Sequence, residues 1–143
     1  MTNGGLVKAT LRFDGGHRRG IDAAAYGFVL TDADDKPLAD EAQVFGYTTH
    51  NVAEYRGMIA GLSCAAKIGV TDLQVLGDSR VVIYQMTGAY RAKAQHLAAL
   101  RDEACQVAST MSVEYDWNPR CENAEADALV NRALDEYDGK RRS

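Results

Sequence analysis

Four acidic residues stand where chemistry could use them: Asp14 in Phe13-Asp14-Gly15-Gly16, Glu54 in Asn51-Val52-Ala53-Glu54-Tyr55, Asp78 in Gly77-Asp78-Ser79, and Asp127 in Asn123-Ala124-Glu125-Ala126-Asp127-Ala128-Leu129. Each has a structural role open to it when taken alone. Asp14 before glycine is a hairpin-turn signal, and Glu54 stands three residues after Asn51, where a capping box would place it. Asp78 competes with Ser79 as a helix N-cap, and Asp127 borders an apolar stripe as a solvated flank. Taken together the four differ, because two stand at strand ends and two near helix starts, where α/β folds gather ligand sites. Carboxylates brought together out of water repel, so one must take up a proton or the group must hold cations. Oxygen donors without a histidine or cysteine among them select hard ions, so Mg2+ or Mn2+ is expected rather than zinc.

Periodicity along the chain predicts the elements that must position these residues. Residues 7–13 alternate, with Ala9, Leu11 and Phe13 on one side and Lys8, Thr10, Arg12 and Asp14 on the other, which predicts a half-buried strand ending at Asp14-Gly15-Gly16. Residues 24–31 and 39–48 supply two more strands, joined through turns into an antiparallel meander. Val52, Tyr55, Ile59, Leu62 and Ala66 recur at spacings of three and four, which predicts a helix over residues 51–68, capped by Asn51 or Thr49 and closed by Gly69. A short apolar run at 73–76 fits a buried parallel strand feeding a helix over 80–87. Helical spacing resumes over 96–109, and a last strand covers 111–117. Asn118-Pro119 then turns the chain into a closing helix whose stripe is Ala126, Leu129, Val130, Ala133, Leu134 and Tyr137. This order predicts an α/β fold with a mixed five-stranded sheet, three antiparallel strands then two parallel, and helices on both faces. A single domain is expected across residues 1–143, with its core over about 7–137 and a polar, frayed tail at 138–143.

Composition narrows the class further. An apolar fraction of 46% and a charged fraction of 25% exclude a disordered or fibrous chain. No apolar run approaches the ~18 residues of a membrane span, and the chain start lacks the basic-then-apolar layout of a signal peptide, so a cytoplasmic protein is expected. Cys64, Cys105 and Cys121 are odd in number and lack C-x-x-C spacing, which predicts reduced thiols rather than a disulfide framework or a zinc site. The formal net charge of -4 runs against the usual basic nucleic-acid binder. Acids gathered around metal ions lower the total, however, wherever phosphates are held. With no exposed apolar stripe evident, a monomer is expected. The basic end at Lys140, Arg141 and Arg142 is open to continuing into a further C-terminal domain of a longer chain.

The four motifs, in this order and over nearly the whole chain from about Val7 to Tyr137, resemble type I ribonuclease H. The resemblance implies a ribonuclease H-like fold and an endoribonuclease that cuts the RNA strand of RNA/DNA hybrids without sequence preference, leaving 5′-phosphate and 3′-hydroxyl ends. It implies that Asp14, Glu54, Asp78 and Asp127 are the catalytic carboxylates and hold two metal ions, Mg2+ or Mn2+. Substrate contact would fall to Gly15, Gly16, Thr49, His50 and Asn51, reading the 2′-hydroxyls that DNA lacks, with Arg80, Arg18 and Arg19 as phosphate candidates. Two departures stand out. Where many members carry a histidine before the last aspartate, this chain has Asn118-Pro119-Arg120-Cys121-Glu122, which leaves Arg120 or Glu122 as auxiliary groups and resembles the compact subgroup of archaea and some bacteria. Where some relatives carry a long basic protrusion, residues 88–93 offer Arg91 and Lys93, which predicts modest affinity and a shallow salt dependence. Two other functions stay open on the sequence: a non-catalytic nucleic-acid-binding domain of the same fold, and another metal-dependent nuclease, including one that cuts double-stranded RNA.

Overall fold

Alternation decides the first strand and with it the two sides of the molecule. The computed structural model describes residues 5–142. Residues 1–4, which belong to the start read above as lacking a leader, and residue 143 at the end of the polar tail lie outside the described residues. Strands β1 (Lys8–Arg18), β2 (Ala23–Asp32) and β3 (Pro37–Gly46) pair antiparallel, and β4 (Asp72–Gly77) and β5 (Ser112–Trp117) join in parallel. Among the described residues the sheet has five strands, three antiparallel and two parallel as the element order predicts, and their order across it is β3-β2-β1-β4-β5. Helices α1 (His50–Lys67), α2 (Arg80–Thr87), α3 (Gln95–Val107) and α4 (Ala124–Arg142) complete the fold.

Helices lie on both faces of the sheet. Leu11 and Phe13 of β1 join Phe28, Leu30, Tyr55, Met58, Leu62, Val82, Ile83, Leu97 and Leu100 in the main core, beneath α1, α2 and α3. On the other face Ala23 and Ala25 of β2 pack with Val130 and Leu134 of α4 in a smaller core. The small alanines let that helix lie close to the sheet. Adjacent residues of β1 show the division directly: Gly15 faces the α1 backbone, whereas Gly16 faces Val130 of α4.

Three local expectations are corrected. First, β1 does not end at Asp14-Gly15-Gly16. It continues to Arg18, pairing Asp14 with Gly27, Gly15 with Tyr26 and Gly16 with Ala25. The turn falls instead at a 3-10 turn, Arg19–Ile21, followed by Asp22 in the left-handed region at φ 52°. Gly15 serves close approach rather than a turn, since a Cβ there would lie 2.3 Å from the Ala53 carbonyl carbon and 2.4 Å from the Glu54 nitrogen. Second, the third strand stops at Gly46 rather than 48, and α1 starts at His50 with Thr49 as its cap, accepting from the Val52 N–H at 3.3 Å. Third, the tail is helical rather than frayed. Helix α4 runs to Arg142, and Arg141 and Arg142 reach Asp138 one turn back at 3.3 and 3.1 Å. Three basic residues in the last turn also suit the negative end of the helix dipole.

Candidate active site

The close approach of α1 to β1 sets the site. With no side chain on Gly15, the first turns of α1 come down onto the strand, and the Gly15 N–H donates to Glu54 Oε1. Glu54 is thereby fully buried, and its second oxygen, Oε2, has no hydrogen-bond partner. An orphaned buried carboxylate oxygen is costly unless something else meets it. Asp14 follows Phe13 on the opposite side of the strand and is 6% exposed. Asp78 stands where β4 hands over to α2, and the cap of that helix is Ser79, whose Oγ accepts from the Val82 N–H at 3.2 Å. Asp78 is therefore spared from capping and free to face the others. One oxygen from each of Asp14, Glu54 and Asp78 lies within 4.8 Å of the other two.

Electrostatics match this geometry. Burial pushes the Asp14 carboxyl up to about 7 from an ordinary 3.8, with the charge of Asp78 and contact with Asp127 adding to the rise. Burial raises Glu54 well above the usual carboxylate range, and the charge of Asp14 pushes it further. Both shifts say that the negative forms are poorly housed by the protein alone. The set fits a hard divalent cation, because it offers carboxylate oxygens at close quarters and includes one buried oxygen left without a partner.

The carboxylates open onto a cleft of about 570 Å3 lined by Asp14, Gly15, His50, Asp78, Arg80, Trp117, Arg120 and Asp127, with Glu54 buried behind it. Asp127 stands outside the three-way set but on the same cleft, with Arg120 Nη2 at 3.5 Å from its Oδ1. His50 begins α1 on the rim, its Nε2 3.8 Å from Glu54 Oε2, and burial lowers its pKa, helped by the neighbouring His17. Thr49 and Asn51 flank it at the helix start without lining the cleft. Gly16 turns towards α4, where a Cβ would sit 3.2 Å from Val130 Cγ1. Glu122 is not brought to the site: it lines a separate hollow with Arg12, Thr31, Asp35, Cys121, Ala124 and Glu125, because the 3-10 turn Arg120–Glu122 points Arg120 and Glu122 into different depressions. Arg18 is likewise engaged elsewhere, with Asp135 at 2.6 Å and Asn131 at 3.2 Å on α4. Arg19 donates to the Tyr47 hydroxyl at 3.2 Å.

Residues to which the sequence reading gives no role hold the site in place. Asn123 is fully buried; its Nδ2 donates to the Phe13 carbonyl at 2.8 Å and its own carbonyl accepts from the Asp127 N–H at 3.1 Å. It pins the start of α4 to the residue before Asp14. Its position four residues ahead of Asp127, at the start of an apolar stripe, is the signal that could have found it. His17 stacks on Tyr47 with ring centres 5.2 Å apart and donates from Nδ1 to the Thr48 carbonyl at 2.9 Å, tying the end of β1 to the loop that carries Thr49 and His50. No local pattern announces that contact, which spans 31 positions.

Comparisons with known proteins agree on one family. A family model described as reverse transcriptase-like matches residues 12–133. The curated Ribonuclease HI of Halobacterium salinarum is 38% identical over 137 residues, covering 93% of this chain and 66% of that protein. The solved N-terminal RNase H domain of Rv2228c from Mycobacterium tuberculosis superposes with a TM-score of 0.89 at 42% identity, covering 94% of this chain and 99% of that one. LC11-RNase H1, solved in complex with an RNA/DNA hybrid, superposes with a TM-score of 0.84 at 30% identity, covering 90% and 98%. The chain spans 36% of the length of the full curated mycobacterial relatives, one of which is named Bifunctional protein Rv2228c.

Proposed function

The chain belongs to the type I ribonuclease H family, and on that footing we propose that it hydrolyses the RNA strand of RNA/DNA hybrids, independently of sequence, leaving 5′-phosphate and 3′-hydroxyl ends. The observation that carries the proposal is the convergence of Asp14, Glu54 and Asp78 within 4.8 Å, at a cleft that Asp127 shares. Four acids held this way are expensive for a domain that only binds a polyanion, which argues for catalysis over passive binding.

Asp14, Glu54, Asp78 and Asp127 are the residues that would hold two Mg2+ ions, with Mn2+ as a substitute. Ions held there would supply Lewis-acid chemistry, activating a water for in-line attack on the phosphodiester and neutralising charge on the leaving 3′ oxygen. The chain's own residues do the rest. Arg120 takes the loop position that a histidine fills in many relatives, and its guanidinium beside Asp127 offers a fixed positive charge to the phosphate being cut. An arginine does not give up its proton in a protein, so Arg120 stabilises charge and helps product leave rather than acting as a base. His50 on the rim and the backbone at Gly15 line the cleft and would meet the 2′-hydroxyls of the RNA strand, whereas Thr49, Asn51 and Gly16, which lie beside the cleft rather than in it, would reach the strand only beyond its edge. Arg80 contacts phosphate.

No helix among the described residues is long and apolar enough to cross a membrane. The reading places the protein in the cytoplasm as a monomeric module. In a longer natural chain it would sit beside a further C-terminal domain, as the name of the solved mycobacterial N-terminal domain suggests.

Equal amounts of labelled RNA/DNA hybrid, double-stranded RNA and double-stranded DNA, each incubated with the protein and Mg2+, test the proposal. The hybrid is expected to be cut in its RNA strand and double-stranded DNA to be untouched. Preferred cutting of double-stranded RNA would replace hybrid cleavage by the broader nuclease reading, and cutting of none would leave a binding domain.

A further inference from the structure

Trp117 is the one tryptophan of the chain, and it stands at the end of β5 on the wall of the catalytic cleft. Two contacts tie it to the chain around Asp78. Its ring lies under the guanidinium of Arg80, whose Cζ is 4.4 Å from the ring centre. Its indole N–H donates to the carbonyl of Asp78 at 3.1 Å, fixing the backbone of one of the clustered carboxylates.

We propose that Trp117 is a positioning residue for the reaction: its ring holds Arg80 at the mouth of the cleft as a phosphate contact, and its N–H ties Asp78 to β5. The inference rests on the hybrid-cleaving reading above. Arg80 opens α2, where a positive side chain opposes the helix dipole, so the helix itself gives no reason for a cation there. The aromatic face supplies one, since a guanidinium over tryptophan is attracted by the ring and stays planar, with its N–H fork free to meet a phosphate. An exposed arginine otherwise samples many rotamers, and holding it before the substrate arrives lowers the entropy lost on binding. Arg80 and Asp78 lie two residues apart, so one side chain sets both the phosphate contact and the acid beside it.

The two contacts separate in kinetics. Removing the ring face frees Arg80 and raises KM, whereas removing the N–H loosens Asp78 and lowers kcat. In hybrid cleavage with Mg2+, Arg80→Ala is expected to raise KM about three- to tenfold with kcat little changed. Its salt slope for hybrid binding becomes shallower by about one. Trp117→Leu is expected to raise KM similarly and also to lower kcat, but to keep the wild-type salt slope because the arginine charge is still present. Trp117→Phe, which keeps an aromatic face without the N–H, restores KM towards wild type and keeps the low kcat. The double variant Arg80→Ala/Trp117→Leu binds no worse than Arg80→Ala alone, because without the guanidinium the ring has no phosphate contact left to hold in place.

Multiplying KM losses in the double variant, or a Trp117→Phe variant as weak in KM as Trp117→Leu, would overturn the inference while leaving hybrid cleavage by the wild type in place. A wild type that cuts no hybrid fails the functional reading itself. The lone tryptophan also gives a readout free of substrate and metal. Arg80→Ala is expected to change the fluorescence emission of the resting protein, and an unchanged spectrum contradicts the stacking even if Trp117→Leu proves unable to fold.

Discussion

A carboxylate pushed towards neutrality is informative because it says what the protein lacks at that point. Asp14 sits up at about 7, chiefly through burial, and Glu54 is raised in the same sense. A raised acid binds its proton more tightly in the folded protein than in the unfolded chain. The resulting stability is present in full below the ordinary value of 3.8 and is lost as pH rises through about 7. Without divalent ions, the melting temperature is therefore expected to fall across that window, and Mg2+ added at the alkaline end should recover it by binding the charged form. Asp14→Asn should flatten the fall, so thermal melts of both proteins against pH, with chelator present, check the assignment; identical curves would refute it. At this scale the sequence was informative about identity and weak about environment. The motifs single out Asp14, Glu54, Asp78 and Asp127, but Glu54 three residues after Asn51 reads equally as a capping residue. Only its placement over Gly15 shows that it is buried beneath the strand.

Elements bring these residues together through two close approaches, α1 over β1 on one face and α4 under β2 on the other. The first admits no side chain at position 15. Gly15→Ala is expected to destabilise the fold by about 1–3 kcal/mol, in the range of overpacked cores, because the atoms it meets are backbone and cannot swing away. A urea titration reads the loss, and a variant as stable as wild type would contradict the geometry. The same contact explains why the end of β1 is illegible locally. Asp-Gly-Gly after an alternating run is a turn signal by every short-range rule, and the reason it is strand here lies in Ala53, 38 positions away by the numbering, which the sequence does not announce. Helix α4 misleads in the opposite direction. Its last turn is polar and reads as frayed, yet Asp138 pairs with Arg141 and Arg142 along the helix and the basic residues suit its end.

Across the whole molecule, charge is divided by use rather than balanced. The net charge of -4 includes the acids collected in the cleft, whereas Arg80 and Arg120 stand at its walls. Residues 88–94 add the exposed Arg91 and the half-buried side of the loop around Ala92, with Lys93 exposed. Few cations face a duplex, so binding of hybrid in Ca2+ is expected to show a log–log salt slope of about -2 to -4, each neutralised phosphate contributing about -0.9. A much steeper slope would mean phosphate contacts that the arrangement around the cleft does not provide. The overall topology was the most legible level, because strand periodicity, helix periodicity and their order leave few ways to build a mixed sheet. Positions set by contacts between distant segments, such as Asn123 on Phe13 and Trp117 on Asp78, were not, since each depends on elements meeting 110 or 39 residues apart. The most direct test of the central claim is hydrolysis of an end-labelled RNA/DNA hybrid by wild type and Asp14→Asn, each with Mg2+ and with chelator. Cleavage of the RNA strand by the wild type with Mg2+ alone, and by neither protein otherwise, is the predicted result. Hydrolysis that persists in chelator, or near-normal cutting by a folded Asp14→Asn protein, would contradict the claim that these carboxylates work by holding metal ions.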